Sequence, residues 1–212
     1  EAKAFYDRFG AKQDAQGWYE DPPVARLVAH ANFGAAKSVV ELGCGTGRLA
    51  AKLLAESLPE DARYTGLDLS ATMIALATAR LAVFGDRARA KQTEGAPALP
   101  FADASVDRVL STYVLDLLPA ADIAAFVVEA HRVLAPGGRL CLVGLTHGER
   151  GLSKWVSRFW SSVQRRNPAK VGGCRPLRMA EHLPRDRWRI EHREIVTAWA
   201  IPSEVLVATP VV

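Results

Sequence analysis

Short apolar runs along the middle of the chain alternate with segments in which apolar residues recur every three or four positions. The first pattern is typical of strands buried on both faces of a sheet, and the second of amphipathic helices. The apolar runs predict strands near residues 37–42, 62–68, 88–94, 106–113 and 137–145. The helical patterns predict helices near 46–57, 71–84 and 120–134. Such an alternation predicts a parallel sheet with helices on both faces.

The last part of the chain changes to an alternation of apolar and polar residues with a period of two. This pattern covers 188–196 and 204–208, and a turn at 201–203 joins the two segments. We therefore expect an antiparallel strand pair that closes one edge of the sheet. The predicted fold is a single α/β domain over residues 1–212, with a seven-stranded, mostly parallel sheet and an antiparallel C-terminal strand pair.

The first predicted strand leads into a glycine-rich turn, Glu41-Leu42-Gly43-Cys44-Gly45-Thr46-Gly47-Arg48. Glycines let a ligand lie against the backbone, and the free N–H groups of the following helix favour a negatively charged or strongly polar ligand. A dinucleotide-binding turn has a third small residue at the position that Arg48 occupies. Arg48 and the acid at Glu41 therefore disfavour a nicotinamide-dependent oxidoreductase.

Three further segments follow the glycine turn. The second strand ends at Asp68, and Ser70 can cap the helix that follows it. The next segment, 98–110, contains a Leu-Pro-Phe sequence ahead of the fourth strand, and the last, 131–140, contains a helix end and a Pro-Gly-Gly turn ahead of the fifth.

These four segments, in this order, resemble the class I S-adenosylmethionine-dependent methyltransferases (methyltransferase type 11). The resemblance covers roughly residues 37–147 and is nearest to the branch that holds quinone-biosynthesis and other small-molecule methyltransferases. It implies a Rossmann-like three-layer sandwich and S-adenosyl-L-methionine as the cofactor. The cofactor-binding residues that it implies are Tyr6, Tyr19, Glu41, Gly43, Cys44, Gly45, Gly47, Asp68, Leu69, Met73, Glu94, Gly95, Ala96, Ser111 and Tyr113.

Two acids carry the most specific expectations. The resemblance implies that Glu41 attracts the amino group of the methionine tail, directly or through water. It also implies that Asp68 accepts hydrogen bonds from the ribose hydroxyls, because ligands of α/β sheets bind outside the carboxyl ends of the strands. The alternative for Asp68 is an ordinary capping residue between a strand and a helix.

The chain departs from the family at the adenine contact. Family members usually carry a Gly-Asp-Ala sequence a few residues before Leu-Pro-Phe, and its aspartate binds the adenine amino group. This chain has no aspartate after Gly95. Two substitutes remain open: Glu94 from a shifted position, or the backbone groups of Gly95 and Ala96.

The amino-terminal residues, 1–36, show two short helical patterns separated by a break at Pro22-Pro23. The segment resembles the family's N-terminal lid, whose tyrosines pack over the cofactor. Aromatic faces suit a sulfonium because the ring quadrupole attracts a cation. The alternative is that Tyr6, Trp18 and Tyr19 only seal one end of the sheet.

Two residues are candidates for accepting a proton from the methyl acceptor. Asp116 follows the fourth strand, where relatives often have a histidine, and a side chain there would face the transferred methyl group. The alternative for Asp116 is an exposed loop carboxylate or a helix cap. His147, just past the fifth strand, is the second candidate, although a lone loop histidine is more often a surface residue. Thr112 and Tyr113 are candidates for lining the same cleft.

The segment after the fifth strand is strongly basic. Between Arg150 and Ala180 the chain has eight basic residues and no acid: Arg150, Lys154, Arg158, Arg165, Arg166, Lys170, Arg175 and Arg178. Apolar residues between 152 and 163 form a helical stripe opposite them. This helix can be a lid over the acceptor pocket, a contact of 150–166 with an anionic membrane or lipid-like acceptor, or a site for an acidic soluble substrate. Without a recognisable binding module, nucleic acid is disfavoured.

Composition excludes several other classes. No apolar run approaches the roughly 20 residues of a membrane span, and no secretory signal is visible, so we expect a cytoplasmic protein. The three cysteines lack C-x-x-C spacing, which favours reduced thiols over disulfides. No spacing of His, Asp or Glu predicts a metal site, and His182 and His192 are assigned to structure.

We therefore expect an S-adenosylmethionine-dependent methyltransferase (EC 2.1.1.-) that acts on a small-molecule acceptor by in-line transfer. Such a protein has to align the reacting atoms, exclude water and remove at most one proton. Its expected parts are a lid (1–36), a cofactor-binding core (37–147), a basic helical insert (148–185) and closing strands (186–212). Two alternatives stay open: a lipid or quinone methyltransferase at a membrane surface, and a catalytically silent S-adenosylmethionine-binding module that regulates a partner.

Overall fold

The computed structural model of the chain describes residues 7–8, 10–95, 98–148 and 174–211. Within these residues seven strands form one sheet in the order β3-β2-β1-β4-β5-β7-β6. The strands are β1 (Ser38–Leu42), β2 (Arg63–Asp68), β3 (Ala88–Gln92), β4 (Val106–Thr112), β5 (Leu134–Leu145), β6 (Trp188–Ala198) and β7 (Ile201–Pro210). The first five run parallel, and β7 is antiparallel to both β5 and β6. The predicted sheet is confirmed.

Four α-helices cover the sheet within the described residues: α1 (Gly17–Ala31), α2 (Arg48–Glu56), α3 (Ala71–Leu81) and α4 (Ala120–Val133). Short 3-10 helices occupy Gly10–Gln16, Phe33–Ala35, Ala82–Arg87, Leu115–Leu117 and Met179–His182. None of these helices is long and apolar enough to cross a bilayer.

Successive residues of the strands enter two different cores because side chains alternate across a sheet. Val39 and Leu110 pack into the core on the side of α1 and α2, whereas Val40 and Val109 pack into the core on the side of α4. These two apolar layers, one on each face, explain why the central strands are apolar at nearly every position. The predicted three-layer sandwich is confirmed.

The strand order reverses between β1 and β4, which are neighbours although β2 and β3 lie between them in sequence. The connections after these two strands leave the sheet on opposite faces, so a crevice opens between them at the carboxyl ends. The glycine turn, Asp68 and the segment after β4 all lie at this edge. The fold therefore places the predicted site residues around one crevice.

The predicted break at Pro22-Pro23 is wrong. Helix α1 includes both prolines, although their missing N–H groups remove two backbone bonds. The helix continues because its buried face packs on the sheet, where Leu27 and Ala31 are fully buried. Tertiary packing of an apolar face outweighs the local preference here. The other predicted helix of this segment lies largely outside the described residues.

Candidate functional site

Two cavities meet at the carboxyl ends of β1, β2 and β4. Cavity A, with a volume of about 150 Å³, lies on the side of α3 and is lined by Asp68, Leu69, Met73 and Gly95 among others. Cavity B, with a volume of about 380 Å³, lies between α1 and α2. Both are lined by the same four residues, Gln13, Gly43, Thr112 and Tyr113. They form the two halves of one elongated cleft across the glycine turn.

The glycine turn brings the backbone against its neighbours more closely than any other residue type would allow. Gly43 has φ +76°, and a Cβ built on it would lie 2.1 Å from a methyl group of Val114. The N–H groups of Gly43 and Cys44 both donate to the carbonyl of Leu67, at 2.7 and 3.1 Å. These donors bond within the protein, so the turn lacks the free N–H groups expected for binding a phosphate.

Asp68 joins this turn to the start of α3. Its Oδ2 accepts a hydrogen bond from the Gly45 N–H at 2.9 Å, and its Oδ1 accepts one from the Ser70 N–H at 2.9 Å. Burial raises the pKa of Asp68 in spite of these bonds. The carboxylate also lines cavity A and has further lone pairs available. Capping and ligand binding are thus compatible in one residue, and Ser70 caps Met73 as predicted.

Glu41 is buried on the other side of the turn and lines cavity B. It is 1% exposed and accepts a hydrogen bond from the Tyr64 hydroxyl. Burial raises its pKa to about 8, and the neighbouring Asp68 adds to the shift. A positive charge entering cavity B would therefore be stabilised by a carboxyl group that readily gives up its proton.

Glu20, which the sequence analysis did not single out, faces the same cavity from α1. Burial raises its pKa to about 7, and it accepts a hydrogen bond from the Tyr19 hydroxyl at 3.2 Å. Tyr19 meets Tyr113 edge to face with 5.8 Å between ring centroids. Trp18, in contrast, is 54% exposed and does not seal the sheet. Tyr6 lies outside the described residues.

The residues before α1 are pinned over the cleft by charged groups. Asp14 accepts hydrogen bonds from Thr46 and from Arg80, each at 2.6 Å, and Asp7 accepts one from Ser70 at 2.5 Å. These contacts hold Gln13 over the turn, where its amide lies against Gly45 and borders both cavities. The sequence contained no signal for Gln13, because its position depends on how the segment folds back.

Asp116 is buried on the 3-10 helix that follows β4, so its alternative assignment as an exposed carboxylate is wrong. It is 1% exposed, and neither carboxylate oxygen has a hydrogen-bond partner among the described residues. Burial raises its pKa to about 7, partly offset by the Arg175 guanidinium. It does not cap α4 either, because that helix begins after Pro119 without a side-chain cap. The adjacent Leu117 and Leu118 line cavity A.

The remaining predicted residues are not equally close to the cleft. Leu69, Met73 and Gly95 line cavity A, and Cys44 lines cavity B. Three side chains lie elsewhere: Glu94 and His147 are exposed, and Ser111 is buried with its hydroxyl donating to the Leu42 carbonyl at 3.0 Å. Gly47 ends the turn as the residue before α2, and Ala96 lies outside the described residues.

Comparison with known proteins gives this crevice a family. Residues 39–138 match the family model described as a methyltransferase domain. The chain is 35% identical over 185 residues to malonyl-[acyl-carrier protein] O-methyltransferase of Hahella chejuensis, with 82% of this chain and 61% of that protein covered. It is 40% identical over 118 residues to the ubiquinone/menaquinone biosynthesis C-methyltransferase UbiE of Rubrivivax gelatinosus, with 55% and 43% covered.

A solved structure agrees with the fold over nearly the whole chain. The putative methyltransferase in complex with the Trm112 methyltransferase activator of Haloferax volcanii has a TM-score of 0.71, with 99% of this chain and 97% of that one covered. The identity is 17%, so this likeness concerns the fold alone. The chain carries a domain of the class I S-adenosylmethionine-dependent methyltransferase family. It spans about three fifths or less of the two curated relatives.

Proposed function

We propose that this chain binds S-adenosylmethionine in the cleft formed by cavities A and B and transfers its methyl group to a small-molecule acceptor. The observation that carries the proposal is the pairing of the two halves across Gly43 and Tyr113. Cavity A combines apolar side chains with one carboxylate, and cavity B is rich in acids. A nucleoside and a cationic tail need these two different environments. When bound, the cofactor supplies a methyl group on a positively charged sulfur that is already a good leaving group.

Cavity A suits the nucleoside. Leu69 and Met73 offer apolar surface to a purine ring, and the free lone pairs of Asp68 can accept hydrogen bonds from two neighbouring hydroxyls. Of the two substitutes for the family's adenine-contact aspartate, the exposed position of Glu94 favours the backbone of Gly95, which lines this cavity.

Cavity B suits a cationic amino group. Glu41 and Glu20 both line it, and burial raises the pKa of both carboxyl groups, which makes each sensitive to an arriving positive charge. The half-buried ring of Tyr113 lies where the two cavities join and can face a sulfonium. These groups bind and orient, and the closely packed segment around Gln13 excludes water from the reacting atoms.

For the proton of the acceptor, burial and location support Asp116 over His147. A carboxyl group with a pKa of about 7 is a suitable general base at neutral pH. Replacing it with Asn should reduce turnover by about 10²- to 10⁴-fold, the usual contribution of a general base, and leave S-adenosylhomocysteine affinity unchanged. Equal turnover in the Asp116→Asn protein would remove Asp116 from the mechanism.

The acceptor class is proposed from the relatives. One of them is named for O-methylation of a malonyl group on a carrier protein and the other for C-methylation in quinone biosynthesis. We propose a small acceptor that is either acidic or quinone-like and apolar. Contact of 150–166 with a membrane remains part of the second case, and this segment lies outside the described residues.

Calorimetric titration with S-adenosylhomocysteine tests the binding half. We expect binding that weakens by ~1–3 kcal/mol in Asp68→Ala, through loss of hydrogen bonds to the ribose. Glu94→Gln is the matched control, because it also removes a carboxylate charge at this edge but from an exposed position. Absence of binding to the unaltered protein would overturn the proposed function, and equal affinity in Asp68→Ala would overturn the ribose assignment.

The transfer half is tested by incubation with methyl-labelled S-adenosylmethionine and a cell extract, followed by separation into organic and aqueous phases. Label in the organic phase would indicate a quinone-like or lipid acceptor, and label in the aqueous phase an acidic soluble one. Cofactor binding with no label in any extract would favour the silent regulatory module instead.

A further inference from the structure

A group of side chains far from the cleft has the composition of a metal site. His30 lies in the last turn of α1, and His192 and Glu194 lie on β6. Residues two apart on a strand point to the same face, and α1 packs against this strand. The ligand atoms of all three side chains lie within 4.8 Å of one another. We call this group the α1–β6 seam.

The seam is compact and only partly accessible to water. The imidazole rings of His30 and His192 are stacked, with 3.6 Å between centroids and 10° between planes. The Nε2 of His192 lies 2.8 Å from Oε1 of Glu194. Each of the three residues is partly buried, so packing restricts the positions of the rings. Restricted ligands lose less conformational entropy when an ion binds.

Arg26 supplies the positive charge that this arrangement attracts. Its Nε donates to Oε1 of Glu194 at 2.8 Å, and another of its nitrogens lies 3.3 Å from Nε2 of His30. Although burial alone would raise the pKa of Glu194, the hydrogen bonds from Arg26 and His192 hold it below its usual range. The carboxylate is therefore ionised. Arg26 is half exposed, which allows its guanidinium to leave for solvent.

We propose that the α1–β6 seam binds a divalent transition-metal ion such as Zn²⁺, Co²⁺ or Ni²⁺. Two imidazoles with one carboxylate favour these ions over Mg²⁺ or Ca²⁺, which prefer oxygen ligands alone. Bond lengths of about 2.0–2.2 Å require the rings to tilt out of the stack and the ligand atoms to move closer together. Arg26 swings outward, and water completes the coordination.

A bound ion would join the end of α1 to β6 without touching the cleft. Its effect is thermodynamic: an ion that binds only the folded protein raises the unfolding temperature with its concentration. Methyl transfer does not depend on the ion, so this inference is independent of the proposed function and each can fail without the other.

Titration of tag-free, chelator-treated protein with ZnCl₂ in a calorimeter tests the proposal. We expect one ion per chain and an increase in melting temperature, with both lost in His192→Ala and in Glu194→Gln. His182→Ala is the control, because it also removes a partly buried histidine but lies outside the seam. Arg26→Ala should bind Zn²⁺ several-fold more tightly, since the competing guanidinium is gone.

The Co²⁺ form distinguishes the seam from the cysteines. We expect a visible spectrum of nitrogen and oxygen ligands without a thiolate charge-transfer band. No binding by the unaltered protein, a thiolate band, or equal affinity in His192→Ala would overturn the proposal. Weaker binding in Arg26→Ala would overturn it too, and this variant does not depend on whether the histidine variants fold.

Discussion

The glycine turn and the α1–β6 seam both gather polar groups, but they are assembled in opposite ways. In the turn, backbone atoms of consecutive residues bond to the adjoining end of β2, as in the bonds from Gly43 and Cys44 to Leu67. In the seam, side chains from nearly opposite ends of the chain meet, and all their polar contacts are between side chains. The turn therefore depends on backbone conformation, and the seam depends on the packing of α1 on the sheet.

This difference predicts that the turn tolerates substitution far less than the seam. Gly43→Ala should have the largest effect, because it adds both an unfavourable φ of +76° and a Cβ 2.1 Å from Val114. We expect a loss of about 3–5 kcal/mol in the free energy of unfolding, measured by urea denaturation. Strongly weakened S-adenosylhomocysteine binding should accompany it.

Gly137→Ala separates the two causes. Gly137 has φ +79°, but a Cβ at this position would meet no atom within 4 Å. We expect it to cost only about 1–2 kcal/mol, the price of the left-handed conformation alone. Equal losses in the two variants would mean that close packing at the turn contributes nothing, and the contrast with the seam would weaken.

Asp116 lies between the two cases, since its place follows from the segment after β4 and its burial from packing. Burial raises its pKa from 3.8 to about 7, so the folded protein favours the protonated form. That contribution to stability is complete below about pH 4 and is lost as the pH rises through about 7. Asp116→Asn, which cannot ionise, should be more stable than the unaltered protein at pH 8, on the order of 2 kcal/mol.

The measurement is the free energy of unfolding of both proteins between pH 4 and pH 8. The two curves should converge at the acidic end and separate as Asp116 ionises. A constant difference across this range would show that the carboxyl group is not the cause.

The smallest effect is expected in the seam without metal. Arg26→Ala removes an ion pair whose arginine is 50% exposed, and such pairs contribute little in water. Thermal unfolding in the presence of a chelator should change by less than about 1 kcal/mol in free energy. A loss as large as that of Gly43→Ala would show that the seam, like the turn, is essential to the fold.

Local features of the sequence predicted more of the fold than of the site. The strands and the cap at Ser70 follow from short-range patterns, and the structure confirms them. The same reasoning failed at Pro22-Pro23, where packing of α1 on the sheet outweighs two missing hydrogen bonds. It also offered Asp116 as an exposed carboxylate, because burial depends on segments that are distant in sequence.

The sequence by itself determined the order of elements, the glycine turn and the family, because these depend on periodicity and on residues a few positions apart. Only the tertiary structure decided which polar groups share a space. It placed Glu20 and Gln13 at the cleft, left Glu94 exposed, and brought His30 to His192. The reason is physical: hydrogen bonds of turns and strands form between near neighbours, whereas burial and long-range side-chain contacts arise only when the two apolar faces of the sheet are covered.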